Sequence, residues 1–382
     1  MQKMNEELVR EPITPAKIKQ IAKDNVVLII AILAAVITSF IVPPDAQYID
    51  YFDFKTLACL FCVLAVVCAL RNIRFFYTLA KAIVRKFRNA KIAILALVYI
   101  TFIGSMLIAN DMALLTFLPL GYFILHTTGK EKYLAFAFIM QNIAANLGGM
   151  LTPFGNPQNL YLYSKFNIPD AEFVSIMLPP FIVAVVLITA CCLIFVKNEP
   201  LEIQEKAASL PIARVVIYLI LFALAILMVF KFMPYQIGLV IIPVAIFFLD
   251  REALKQVDYG LLFTFVFFFI FAGNMGRIDV VREFFSHLLN INTLIFSAMS
   301  CQVISNVPSA ILLSQFTDNY KDLLLGVNIG GAGTLIASLA SLITFKEYTK
   351  QDPKHTVGYI VKFTAFNFAF LLILIAFCYF FK

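Results

Sequence analysis

Apolar residues run along this chain in long blocks and do not alternate with polar ones at a helical or strand period. Blocks of roughly 17–25 residues match the thickness of the hydrocarbon layer and predict helices that cross it. The pattern predicts spans at about 25–43, 54–70, 132–166, 173–196, 212–230, 234–249, 257–275, 320–345 and 359–381. Two further apolar stretches, 91–127 and 291–316, are interrupted by Ala109-Asn110-Asp111 and by Ser305-Asn306-Val307-Pro308-Ser309. Each yields two short arms, read as a pair of short spans or as a re-entrant hairpin. The block at 132–166 has room for two half-helices and contains NLGGMLTPFGNPQN at 146–159. The expected fold class is an all-α polytopic membrane protein.

That polar stretch has a second copy. NIGGAGTLIASLAS at 328–341 shares N-x-G-G-x-x-T with it, at a separation of 182 residues (328 minus 146). The same separation sets Asn156 opposite Ser338 and Asn159 opposite Ser341. Upstream of each copy come a broken apolar pair, an amphipathic segment, and a span opening on an aspartate-aromatic pair, Asp53-Phe54 or Asp258-Tyr259. The span at 212–230 is unpaired, and one odd crossing turns the second copy upside down. The expected organisation is a cytoplasmic segment at 1–24, a first repeat at 25–196, a linker loop and connecting span at 197–233, and a second, inverted repeat at 234–382.

Inverted repeats with broken helices in matching places point to a secondary transporter whose site lies near the bilayer midplane. In lipid a backbone unwinds only where protein or a wet cavity takes over its hydrogen bonds. Glycines at 148, 149, 330, 331 and 333 permit unwinding, and Pro153 and Pro157 remove backbone donors. Half-helix N-termini then face an anion, and freed carbonyls a cation. The plainer reading of these glycines is close helix packing.

Composition agrees with the pattern. The chain has 382 residues, 62% hydrophobic and 14% charged, with 40 phenylalanines, and its mean hydropathy is +0.90. That is more apolar surface than a soluble core hides. The net charge of +7 reads as membrane topology, with no nucleic-acid partner. Basic residues concentrate in the loops at 71–91, 128–133, 197–214, 251–255 and 346–354, which places those loops and the N-terminus in the cytoplasm and the C-terminus on the opposite side of the cell membrane. The segment RNIRFFYTLAKAIVRKFRNAK reads as a helix in the cytoplasmic interface. All seven cysteines lie in or beside apolar spans and read as small hydrophobes. No cofactor or resident metal is expected beyond a possible coupling Na⁺. No catalytic constellation or nucleotide signature is placed for chemistry, so the chain is not read as an enzyme.

These residues resemble the ion transporter superfamily, which includes divalent-anion/sodium symporters, arsenite permeases, citrate carriers and NhaD-type antiporters. Thr152, Gly155, Pro157 and Asn159 in T-x-x-G-x-P-x-N look like the family's first unwound loop, and NIGGAGT looks like the second. The resemblance implies two re-entrant hairpins whose tips meet at the midplane, a homodimer, and elevator motion of a transport domain against a scaffold. The dicarboxylate symporters carry Ser-Asn-Thr at each tip. Here Asn110 and Asn306 are kept and both threonines are missing.

With that resemblance, the cation-binding positions are expected at Asn110, Asp111, Asn146, Gly148, Ser305, Asn306, Asn328 and Gly330. The substrate is expected at Asn110, Thr152, Asn156, Asn159, Asn306, Thr334 and Ser338. Asp111 is the one acid placed deep in the membrane, where a carboxylate is costly and becomes a candidate cation ligand or proton carrier; its structural alternative is a helix N-cap. No Lys or Arg is expected beside either motif, so a bound anion would need a co-bound cation or prior protonation of Asp111. The leading expectation is Na⁺- or H⁺-coupled transport of a small carboxylate or oxyanion. The alternatives are a Na⁺/H⁺ antiporter using Asp111 and, less favoured, an ion channel.

Overall fold

The computed structural model describes residues 26–201 and 210–381, so the N-terminal segment at 1–24 and much of the linker loop lie outside the described residues. Its regular structure is helical, apart from an isolated bridge between Asn89 and Pro200. In the first half come α1 (Val26–Ile41), α2 (Phe54–Asn72), α3 (Phe75–Val84), α4 (Ala90–Ile108), α5 (Asn110–Thr127), α6 (Leu134–Gly148), α7 (Pro157–Lys165) and α8 (Asp170–Phe195). After the connecting helix α9 (Ile212–Val229) come α10 (Tyr235–Leu249), the short α11 (Arg251–Lys255), α12 (Tyr259–Gly276), α13 (Asp279–Ile304), α14 (Asn306–Leu313), α15 (Tyr320–Ile329), α16 (Leu339–Gln351) and α17 (Thr356–Phe380). Eight of the helical segments among the described residues are long and apolar enough to cross a bilayer. This is a polytopic helical membrane protein.

The boundaries follow from local chemistry. The paired aspartates are N-caps: Asp53 accepts from the Thr56 amide at 2.9 Å, and Asp258 from the Leu261 amide at 2.8 Å. The blocks at 132–166 and 320–345 are each interrupted, between α6 and α7 and between α15 and α16. One boundary rests on a single residue. The amphipathic segment at 277–290 and the first arm of the second hairpin, numbered together as α13, are two helices that meet at Asn292, whose backbone is extended (φ −164°, ψ 98°). Asn292 caps the second of them by accepting from the Ile295 amide at 2.9 Å.

Packing repeats between the halves. Helix α1 lies along α12 and α10 along α2, so each half's first helix rests on the other half's second, while α9 packs on α2 and α10. In the remainder, α4 packs on α6 as α13 does on α15, α5 on α16 as α14 on α7, and α6 on α17 as α15 on α8. Glycine makes the closest of these contacts possible. A methyl at Gly148 would collide with the Phe102 carbonyl and with Ser105 Oγ; one at Gly330 would stand 2.9 Å from Cys301 Sγ and from the Ala298 Cα. The close-packing role thus holds at both positions.

Glu199, just past α8, ties the first hairpin to α6. Its carboxylate accepts from Lys130 at 2.8 Å, from Lys132 at 2.5 Å and from Tyr133 at 2.9 Å. Alongside, Ala90 donates to the Glu199 carbonyl at 2.8 Å and Leu201 to that of Arg88 at 3.0 Å. Hydrogen bonds from Lys130, Lys132 and Tyr133 hold the Glu199 carboxyl at about 2, below its ordinary 4.5.

Two outcomes follow from these contacts. Gly148→Ala and Gly330→Ala should each cost roughly 1–3 kcal/mol by overpacking, seen as a lower melting temperature in detergent; Gly358→Ala, with nothing within 4 Å, should not. Because the folded pKa of Glu199 is depressed, its contribution is complete above about pH 4.5 and fades as pH falls towards 2. Glu199→Gln should remove that part of the acid sensitivity in a thermal-melt series.

Candidate functional site

Each hairpin turns on a single residue with the same unusual backbone. Ala109 has φ 68° and ψ 150°, and Ser305 has φ 74° and ψ 159°. Positive φ in a residue with a Cβ is strained and persists only where the surroundings enforce it. The enforcing contacts are visible at both tips. The Asn110 amide donates to the Gly155 carbonyl at 3.1 Å, and the Asn306 amide to the Ala337 carbonyl at 2.9 Å. Each asparagine's Oδ1 then accepts from the next amide, Asp111 at 3.0 Å and Val307 at 2.9 Å. Thr152 donates to the Met106 carbonyl at 2.7 Å and Thr334 to the Gln302 carbonyl at 3.1 Å. Each hairpin is therefore docked on the broken helix of its own half.

The carbonyls freed by the breaks find side-chain amides. Asn159 Nδ2 donates at 3.2 Å to the carbonyls of Gly149, Met150 and Thr152, and Gln302 Nε2 donates to that of Gly330 at 2.8 Å. Ser338 caps α16 by accepting from the Ser341 amide at 3.1 Å. Pro157 opens α7, where its missing N–H costs nothing.

The two breaks also hold each other. Asn328, from the second half, donates to Asn159 Oδ1 at 2.6 Å and accepts from Asn156 at 3.2 Å and Gln158 at 3.5 Å, both in the first half. Asn110 donates to Asn146 Oδ1 at 3.2 Å. A methyl at Gly331 would stand 3.1 Å from Asn306 Nδ2 and 3.5 Å from Asn146 Oδ1. Tips and breaks of both halves thus form one buried polar cluster, which takes in Asn110, Asn146, Asn156, Asn159, Asn306 and Asn328. Gly148, Thr152, Gly330, Thr334 and Ser338 stand in the same two breaks, and Ser305 is the second tip itself.

At the first break and just past the first tip, three buried oxygens have no partner: Asn156 Oδ1, Gln158 Oε1 and Asp111 Oδ1. Unpaired buried acceptors are expensive and mark a place for a donor or a cation. Asp111 is not the N-cap; that position is Ala109, and Asp111 stands in the first turn of α5. The Asp258 carboxylate lies within electrostatic reach of it. The expectation that no basic group stands near either motif is also corrected. Arg71, at the end of α2, places Nη1 3.6 Å from Met112 Sδ, two residues from Asn110. Sequence spacing gave no sign of this, because 41 residues separate the two.

Other contributors were missed too. Asn142 donates to Ser341 at 3.4 Å and to Asn367 at 3.3 Å, and accepts from Thr344 at 3.3 Å, joining the halves a turn away. Its signal was its place four residues before Asn146, on the same helix face. Gln158 lay inside the polar stretch itself, and Gln302 three residues before the second tip.

Eight candidate spans, two one-residue tips and two broken helices closing on one polar cluster define a multi-pass membrane protein of the transporter class. The family is specific: the family model described as citrate transporter matches residues 13–320, and the chain belongs to that family, part of the ion transporter superfamily. It is similar to an uncharacterized transporter of Methanocaldococcus jannaschii, 33% identical over 295 residues that cover 77% of this chain and 81% of the relative. It is also similar to the inner membrane protein YbiR of Escherichia coli, 26% identical over 325 residues, covering 82% and 86%.

Asn328→Ala would strip partners from Asn156, Gln158 and Asn159 together. At about 1–3 kcal/mol for each buried group left bare, it should lower the melting temperature more than Ser338→Ala does.

Proposed function

We propose that this protein is a secondary active transporter that couples a small anion, a carboxylate or an oxyanion, to Na⁺ or H⁺. The observation that carries the reading is the set of buried acceptors left without a partner, Asn156 Oδ1 and Gln158 Oε1 at the first break and Asp111 Oδ1 in the first turn after the first hairpin tip. Acceptors of this kind suit a cation. The N-terminal turns of α5, α7, α14 and α16 suit an anion. Family membership supports small-anion transport in general. The coupling cation would lie at Asn110, Asn146 and Asp111 and at Ser305, Asn306 and Asn328, with the anion between the tips and the turns opened by Asn156 and Ser338.

In this reading the halves are inverted, the basic loops face the cytoplasm, and the hairpins with α6, α7, α15 and α16 travel across the membrane against α1, α2, α10 and α12. The protein acts in the cell membrane as a homodimer. A second reading rests on the unpartnered carboxylate oxygen of Asp111: a Na⁺/H⁺ antiporter in which no anion moves.

Thermal melts of purified protein against citrate, succinate, sulfate and phosphate, with and without Na⁺ and at two pH values, test the first reading, because a ligand bound to the folded state raises stability by mass action. An anion-dependent shift that needs Na⁺ or low pH is expected, and Asn146→Ala and Asn328→Ala should abolish uptake in proteoliposomes. If no anion gives a shift while Asp111→Asn abolishes Na⁺/H⁺ exchange, the antiporter reading stands and the first one fails.

A further inference from the structure

One positive charge comes to the first hairpin from a helix outside it. Arg71 stands in the last turn of α2, which packs chiefly on α9, α10 and α11 and also touches α7 of the first broken helix and α4 of the first hairpin. Its guanidinium reaches across to the first hairpin, with Nη1 3.6 Å from Met112 Sδ, while Nη2 donates to Gln256 Oε1 at 3.2 Å. A thioether is a weak acceptor and a neutral amide leaves the charge uncancelled. Among the described residues no carboxylate lies within ion-pair distance of Arg71. Of the five N–H donors of a guanidinium, three remain to offer in a planar fork that fits a carboxylate or oxyanion.

The opposite end of the fold lacks the equivalent. The capping aspartates Asp53 and Asp258 are 205 residues apart. That shift carries over to neighbouring pairs: Asn72 donates to Asp250, and its counterpart Arg277 donates to Asp45. It sets Arg71 against Gly276, which has no side chain to reach anything. The adjacent Arg277 is spent in a bidentate pair with Asp45 at 3.0 and 2.7 Å and on the Tyr51 hydroxyl at 3.1 Å. The duplicated frame therefore presents an uncommitted guanidinium at one mouth and a neutralised one at the other.

We propose that Arg71 is a one-sided substrate-positioning residue, which receives the anion at the first hairpin tip when the site opens towards the side of the basic loops. This rests on the transport reading above and assigns its sidedness. Because Arg71 and Met112 sit on different bodies in that reading, their contact breaks when the hairpin travels, and the residue has nothing to offer at the far mouth.

The test compares labelled citrate transport in proteoliposomes sorted by orientation. With Arg71→Gln, which keeps a hydrogen-bonding head and loses the charge, KM measured from the side of the basic loops should rise about tenfold, the effect of losing one charge-assisted hydrogen bond. KM from the other side should stay within twofold, and Arg71→Lys should recover part of the loss. The neighbouring exposed Arg74→Gln should leave both values unchanged, which separates positioning from general surface charge. Equal effects at both faces, or none at either, overturn the inference while leaving the transport reading intact. A wild-type protein that moves citrate from neither face counts against the transport reading and carries this inference down with it. Normal melting temperature for Arg71→Gln excludes misfolding as the cause.

Discussion

A backbone inside a bilayer has to satisfy its own hydrogen bonds, and in this protein that constraint dictates the site. Two helices are broken where no water from lipid replaces the lost ladder. Their loose carbonyls are therefore met by Asn159 and Gln302, and by the tip amides of Asn110 and Asn306. Each broken helix needs its hairpin as a partner, and each hairpin needs the break to hold its strained turn. The pieces fold as a unit because none is saturated alone.

The duplication makes this economical without making it symmetric. The tips, the threonine latches and the close glycine contacts recur in both halves almost atom for atom. The polar side chains that join the halves do not. Asn328 engages three residues of the first break, whereas its counterpart Asn146 is held by Asn110 of its own half. Asn142, opposite Leu324 by the same shift, ties α6 to α16 and α17. Packing thus follows the repeat, while the polar chemistry has drifted. Arg71, whose counterpart by the 205-residue shift is Gly276, is another such departure.

Rigid and movable contacts can also be told apart. The clamp at Glu199 fixes the entrance of the first hairpin to the start of α6 through charge-assisted bonds. Arg71 meets the hairpin through a thioether, a contact weak enough to break.

The sequence by itself determined the membrane class, the positions of both breaks and both tips, and most of the asparagines that meet there. Long apolar blocks, prolines and glycines act locally, so they are legible in one dimension. Tertiary structure alone decided that Asp111 does not cap its helix, and that Gln158, Gln302 and Asn142 complete the cluster. It alone brought Arg71 to the hairpin. Those facts depend on which faces of separate helices meet, and a contact across 41 residues leaves no periodic trace in the chain.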